Sequence, residues 1–241
     1  MGNQLTWHGH ANFQIQCDGV NILIDPFFTG NPSAATTPDA IATPDIVAVT
    51  HMHGDHSGDA VAILKRSGAL LATCVGVGEQ FQAEGVPAEQ IINGHGFQIG
   101  GTVSCKGVSI TMTQAFHTIA GVAPVGYIFT FPSGYTVYHA GDTGVFGTMG
   151  IFGELYDIDL ALLPAGSLYT MDKRQAAYAA KLLKAKAVIP MHWGTFPVLA
   201  QSMDDFPAEV AKQAPGARAI VMKPGETIAL KELLFSRETL K

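Results

Sequence analysis

The sequence predicts an α+β fold in which two β-sheets pack together with helices outside. Three observations point there: strand patterns dominate the first quarter, each half ends in strand–helix alternation, and apolar runs stop at Gly or Pro. Composition agrees. Of 241 residues 47% are hydrophobic and only 14% charged, against roughly 25% charged in ordinary soluble domains, and 27 are Gly. Few charges with many glycines fit buried sheet joined by tight loops. No linker, low-complexity tract or fixed-period repeat breaks the chain, so one domain over residues 1–241 is expected.

"QLTWHG", "NFQIQCDG" and "VNILIDPF" read as strands bounded by turns. A Pro-, Thr- and Ala-rich stretch from Asn31 to Pro44 reads as an exposed loop that could form a substrate-side flap. "DIVAVT" is a short buried strand that runs straight into "HMHGDH". "GDAVAILKRSG" predicts a helix ending at Gly68, with Lys65 and Arg66 in its last turn. "ALLATC" is a strand and "GVGEQFQAEG" a helix ending at Gly85. "GTVSCKGVSITMTQAFHT" and "VGYIFTFPSGYTVYHAGDTG" read as hairpins, the second turned by Pro132, Ser133 and Gly134. "DIDLALLPAG" and "AVIPMHWG" are buried strands on either side of the amphipathic helix "DKRQAAYAAKLLKAK", with Asp172 at its start. "DDFPAEVAKQAPG" gives a last helix, and "ARAIVMKPGETIAL" the closing strands.

Several function classes are disfavoured. A net charge of -6 and a pI near 5.8 leave little to neutralise phosphates, so no nucleic-acid partner is expected; "KLLKAK" at Lys181–Lys186 is spaced like a solvated helix face. Cys17, Cys74 and Cys105 are odd in number and far apart, which predicts small buried thiols rather than disulfides or a cysteine zinc site. No secretory signal and no membrane span are visible, and a cytoplasmic protein is the simplest expectation.

The chemistry concentrates in "HMHGDH". His51 and His53 are two apart, so on extended backbone both rings point to one side. Gly54 lets the chain turn, and Asp55 and His56 then face a neighbouring point. One loop can thus offer two imidazoles to one ion, and a carboxylate with an imidazole to a second. Three more donors end predicted strands: His117 in "TQAFHT", Asp142 in "HAGDTG" and His192 in "IPMHWGT". A lone histidine at a strand end is usually a hydrogen-bonded structural residue. His8, His10, His95 and His139 are read that way first, with substrate contact as the alternative.

These residues carry a resemblance. H-x-H-x-D-H after a strand, followed in order by His, Asp and His, resembles the metallo-β-lactamase superfamily. "WHGHANF", "ILIDPF", "THMHGDHSGD", "YHAGDTGVFG", "DLALLP", "YTMD" and "VIPMHWGTFP" extend the likeness from Leu5 to about Pro197, towards metal-dependent hydrolases related to the ascorbate-phosphate lactonases. The resemblance implies a four-layer αββα sandwich with two divalent ions, Zn2+ ahead of Mn2+, Fe2+ or Ni2+, at one edge of the sheets. It implies His51, His53 and His117 on the first ion, Asp55, His56 and His192 on the second, and Asp142 bridging them. Asp25 matches a supporting aspartate, and His10 and His139 are assigned to the surrounding shell or to hydrogen bonds with substrate. The family usually has Asp where this chain has Ser167, a departure that bears on substrate contacts. Oxygen-reducing di-iron relatives place Glu at the His53 position and the best-known β-lactamases place Cys at the Asp142 position, so both activities are disfavoured.

The expected function is hydrolysis of a small ester, lactone or phosphoester by a metal-bridged hydroxide, with Asp55 and Asp142 as catalytic carboxylates. The alternatives are a phosphodiesterase acting on a nucleotide or phospholipid-like substrate, and a non-catalytic metal-binding regulatory protein. Apolar residues around "TWHGHANF" and "WGTFPVL" are expected to be exposed, forming a pocket or the interface of a homo-oligomer.

Overall fold

The computed structural model describes residues 2–233, so the unit expected over 1–241 extends past them at both ends. In chain order the elements are β1 (Gln4–Gly9), β2 (Asn12–Cys17), β3 (Val20–Ile24), β4 (Ile46–Ala48), α1 (Gly54–Ser57), α2 (Ala60–Ser67), β5 (Leu70–Ala72) and α3 (Val77–Ala83). The second half contains β6 (Thr102–Cys105), β7 (Val108–Gln114), β8 (Val125–Thr130), β9 (Thr136–His139), α4 (Met149–Leu155), β10 (Leu160–Pro164), α5 (Lys173–Leu182) and β11 (Ala187–Met191). It closes with α6 (Phe206–Gln213), β12 (Arg218–Ala219), β13 (Thr227–Ala229) and α7 (Leu230–Leu233).

One sheet has the order β13-β1-β2-β3-β4-β5, the other β12-β11-β10-β9-β8-β7-β6. Both are mixed: β1, β2 and β3 pair antiparallel and β3, β4 and β5 parallel, while β6 to β9 pair antiparallel and β9 to β12 parallel. The central strands β8 to β11 of the second sheet are buried on both faces, and their side chains alternate between two cores. Tyr127, Phe129, Val137, Leu160, Leu162 and Ile189 join the core that includes the first sheet. Ile128, Tyr138, Ala161, Leu163 and Val188 face the other way, against residues of α4, α5 and α6. Ile63 and Leu64 of α2 and Phe81 of α3 belong to the first core. This is the α+β arrangement of two packed sheets with helices that the sequence predicts.

Local signals explain the helix ends. Gly68 takes a left-handed C-cap (φ 70), as expected for Gly after the last helical residue. Asp172 caps α5 by accepting from the Gln175 N–H, and the Gln175 side chain accepts from the Asp172 N–H. The cysteines are free and buried. One expectation fails: "TWHGHANF" is not exposed, because Trp7, Ala11 and Phe13 lie in the core between the sheets.

Candidate metal centre

The topology brings strand C-termini together. Strands β1, β3 and β4 run one way in the first sheet, and β7, β9 and β11 share a direction in the second. Just past these ends come His10 (β1), Asp25 (β3), His51 (β4), His117 (β7), Asp142 (β9) and His192 (β11). Residues at the carboxyl ends of strands are exposed to a common crevice while the strands hold them rigidly. The loop after β4 adds the rest. His53 is extended (ψ 144), and α1 then turns Asp55 and His56 inward.

All seven expected ligands converge. His51 Nε2 lies 2.9 Å from His53 Nδ1, and His117 Nε2 lies 3.3 Å from the same atom. Nitrogens sharing one ion at the usual bond length of about 2.0–2.1 Å sit roughly 3.3 Å apart. Asp142 is central: Oδ2 is 3.0 Å from His192 Nε2, 3.7 Å from His117 Nε2 and 4.0 Å from His51 Nε2, while Oδ1 is 3.3 Å from His56 Nε2. His10, Asp55, His56 and His192 form another group whose donor atoms all lie within 4.8 Å of one another.

Hydrogen bonding fixes which nitrogen each ring offers. Asp25 is fully buried and, as a carboxylate, only accepts. Its Oδ1 takes the Thr50 N–H, and its Oδ2 takes the Thr50 hydroxyl (2.7 Å) and His56 Nδ1–H (2.8 Å). The Thr50 oxygen, its own proton committed to Asp25, accepts from His51 Nδ1–H at 3.0 Å. Both imidazoles therefore commit Nδ1–H away from the centre and turn Nε2 toward it, the atom a metal would take. His10 works on Asp55: its Nε2–H donates to Asp55 Oδ2 (3.1 Å), and its Nδ1 accepts from the Thr195 hydroxyl (3.0 Å). The His10 carbonyl accepts from Trp7 Nε1–H and from the His192 N–H, locking the loop after β1 to the end of β11.

His139 does something else. It is fully buried, its Nε2–H donates to the Ala11 carbonyl, and its Nδ1 accepts from the Gly141 N–H. Both nitrogens are occupied, as are those of the equally buried His10, so neither ring is free for the substrate contact considered above. His139 instead anchors the turn that carries Asp142. The Asn31–Pro44 loop is not among the residues lining the cleft over the centre; its Ser33 hydroxyl lies 3.4 Å from that of Thr195, behind His10.

The electrostatics ask for cations. Among the described residues every ion-pair partner of Asp25, Asp55 and Asp142 is a histidine. Burial, reinforced by the neighbouring His192 and His56, outweighs the Asp55 hydrogen bond and lowers His10 to about 4. Burial and His56 lower His51 to about 3, and burial lowers His117. Burial would raise Asp25 and Asp142, but the surrounding histidines, His56 first, hold both below the usual carboxylate value. His56 goes the other way: its burial is outweighed by Asp142 and Asp25, which raise it well above 6.5. A proton held between two buried carboxylates is what a divalent ion would displace. His56 Nε2 and Asp142 Oδ1 are also buried with no aligned hydrogen bond, despite their 3.3 Å separation. Imidazoles held largely neutral, ionised carboxylates and unused buried donor atoms fit divalent metal.

The signs give a pH prediction for the chelated protein. His10 and His51 stay neutral when folded but titrate near 6.5 when unfolded, so stability falls as pH drops below about 6.5. The raised His56 stabilises the fold below that pH, and its contribution is lost as pH rises through its folded value. The urea midpoint of the chelated chain is expected to peak near neutrality. A midpoint still climbing between pH 7 and 9 would contradict this.

Sequence reasoning missed Gly166. A Cβ there would fall on the His192 carbonyl oxygen, and the left-handed His192 (φ 60) has no room to yield. Gly166→Ala is expected to cost about 1–3 kcal/mol through overpacking and to displace His192. Thermal unfolding would show the loss, and metal titration a weakened site. The only signal in the sequence was Gly at the end of "LLPAG". Thr50 and Thr195, each one bond behind a histidine, had no signal of their own.

Comparisons with known proteins place the chain in a family. Residues 4–192 match the family described as "Beta-lactamase superfamily domain". The chain is 56% identical over 230 residues to a UPF0173 metal-dependent hydrolase of Nitratidesulfovibrio vulgaris (strain DP4), covering 95% of this chain and 96% of the relative. It is 44% identical over 233 residues to one from Methanopyrus kandleri, covering 93% and 98%. Among solved structures, Igni18, a metallo hydrolase from the hyperthermophilic archaeon Ignicoccus hospitalis KIN4/I, superposes with a TM-score of 0.85 at 40% identity, covering 95% of this chain and 98% of that one. Strand-end histidines and aspartates, sandwich and relatives converge on one conclusion: the chain belongs to the metallo-β-lactamase superfamily and is one of its metal-dependent hydrolases.

Proposed function

We propose a binuclear hydrolase in which His51, His53 and His117 hold one divalent ion, Asp55, His56 and His192 hold a second, and Asp142 bridges them. The observation that carries this reading is the position of Asp142, whose two oxygens lie 3.0–4.0 Å from imidazole nitrogens of both groups. Zn2+ suits the imidazole-rich donors best, while Mn2+, Fe2+ and Ni2+ accept the same set. Bound divalent ions lower the pKa of water toward neutrality and polarise a scissile carbonyl or phosphoryl oxygen.

The chain's own groups do the rest. His10 fixes one oxygen of Asp55, leaving Oδ1 directed away from that bond. The Asp55 side chain is 28% exposed and lines the cleft, so Oδ1, once displaced from the ion it would hold, would carry the proton of the attacking water to the leaving group. Asp142, whose side chain is only 3% exposed, stays ionised and orients the histidines. The substrate is a small ester, lactone or phosphoester, in keeping with a cleft of about 230 Å³. A purely metal-storing role is disfavoured because the centre opens to that cleft. All seven ligands come from one chain, so the site needs no second copy to complete it. Among the described residues no helix is long and apolar enough to cross a membrane. The free buried cysteines suit a reducing compartment such as the cytoplasm.

The test is chelation and reloading. Protein stripped of metal should lose hydrolysis of p-nitrophenyl esters and bis-p-nitrophenyl phosphate alike, and regain it on adding two equivalents of Zn2+ or Mn2+. Activity that survives complete removal of metal would overturn the proposal.

A further inference from the structure

The walls of the cleft bear on the kind of substrate, and this inference rests on the hydrolase reading above. Beyond the proposed ligands the lining consists of Tyr169 and Phe196, and no Lys or Arg is among the lining residues. Tyr169 is 60% exposed, and the chain neighbours of the lining residues are exposed apolar side chains too: Phe116 (63%), Leu168 (65%) and Val198 (59%). Phe116 precedes the ligand His117, Leu168 precedes Tyr169, and Val198 follows two residues after Phe196.

These walls are built rather than loose. The Phe116 N–H donates to Thr143 Oγ1 (2.9 Å) and the Met171 N–H to the Thr143 carbonyl (3.2 Å), so both flanking segments are tied to the residue after Asp142. The Ser167 N–H donates to the Met171 carbonyl and the Thr170 N–H to the Ser167 carbonyl, closing the small loop that projects Leu168 and Tyr169. Ser167 (φ 65) and Leu168 (φ 29) are left-handed, a cost that persists when a loop is held for function. The Phe196 ring packs edge-on to His10 (5.5 Å) and near Phe27 (6.3 Å).

A substrate that carries a phosphate or carboxylate away from the scissile bond needs guanidinium, ammonium or clustered N–H donors to hold it. This cleft offers aromatic rings and one phenolic hydroxyl. Burying a charged group against such walls is costly, whereas burying methylenes is favourable. We propose that the substrate is a small uncharged carboxylic ester or lactone whose apolar portion lies between Tyr169 and Phe196.

The experiment uses metal-loaded full-length protein and substrates that share one scissile bond: p-nitrophenyl acetate, butyrate and hexanoate, with the mono-p-nitrophenyl ester of adipic acid as an anionic match for hexanoate. Expected kcat/KM rises roughly threefold per added methylene until the cleft is full. The adipate ester should fall at least about tenfold below hexanoate. Tyr169→Lys should narrow or reverse that gap with metal content unchanged. A flat response to chain length, equal rates on the neutral and anionic esters, or faster turnover of bis-p-nitrophenyl phosphate than of any neutral ester would overturn the inference while leaving the hydrolase reading intact. No turnover of either class by fully loaded protein would overturn both.

Discussion

Replacing Asp142 by Asn is expected to cut bound metal to one ion or fewer per chain and to lower kcat/KM by more than the about 10–100-fold that loss of a supporting partner costs. Asp142 is 2% exposed and faces four imidazole nitrogens, so no neighbouring group can take its place. Asn keeps the volume but carries no charge, and its amide N–H₂ would point at ligand nitrogens. The variant should still fold, because the His139 contact that anchors the turn uses the Gly141 backbone rather than the side chain. Elemental analysis beside an ester assay decides: a variant that keeps two ions and full activity removes Asp142 from the bridging position.

The second large effect is expected at Asp25, which touches no cleft. Asp25→Ala leaves His56 Nδ1, the Thr50 hydroxyl and the Thr50 N–H unpaired in a fully buried place, at a cost on the order of 3 kcal/mol. Asp25→Asn is the sharper probe. An amide N–H₂ at the Oδ2 position meets two donors, so His56 must shift its proton to Nε2, the atom facing Asp142. Metal affinity should then drop about 10–100-fold with a smaller loss of stability than in the Ala variant. Competition with a chromophoric chelator measures the first quantity and urea unfolding the second. Unchanged affinity in the Asn variant would show that the Asp25–His56 bond does not orient the ligand.

Much of the architecture was legible because its signals are local. Apolar runs ended by Gly or Pro marked the long strands, and Gly68 and Asp172 marked helix ends through the backbone groups they satisfy. Helix α4, in "MGIFGEL", was not anticipated. Gly150 and Gly153 lower its helical propensity, and Gly153 is there because a Cβ would strike the Leu182 and Leu183 backbone at the end of α5. That reason is tertiary, so no window of sequence displays it.

The candidate centre divides along the same line. Ligand chemistry is written in residue types, so His51, His53, Asp55, His56, His117, Asp142 and His192 could be named before their convergence was known. The supporting contacts are written in distances between remote segments. Thr50 between Asp25 and His51, Thr195 behind His10 and Gly166 under His192 look ordinary in sequence. His139 is the structural histidine expected first: the Ala11 carbonyl and the Gly141 N–H occupy its ring, three residues before Asp142.

The central claim is that one chain holds two ions through a shared Asp142 carboxylate. Metal stoichiometry tests it most directly: the full-length protein, purified without chelator, is loaded with Zn2+, dialysed against metal-free buffer and counted by elemental analysis. The account predicts two ions per chain, falling to one or none in Asp142→Asn. One ion per chain in the native protein, or none, would contradict it.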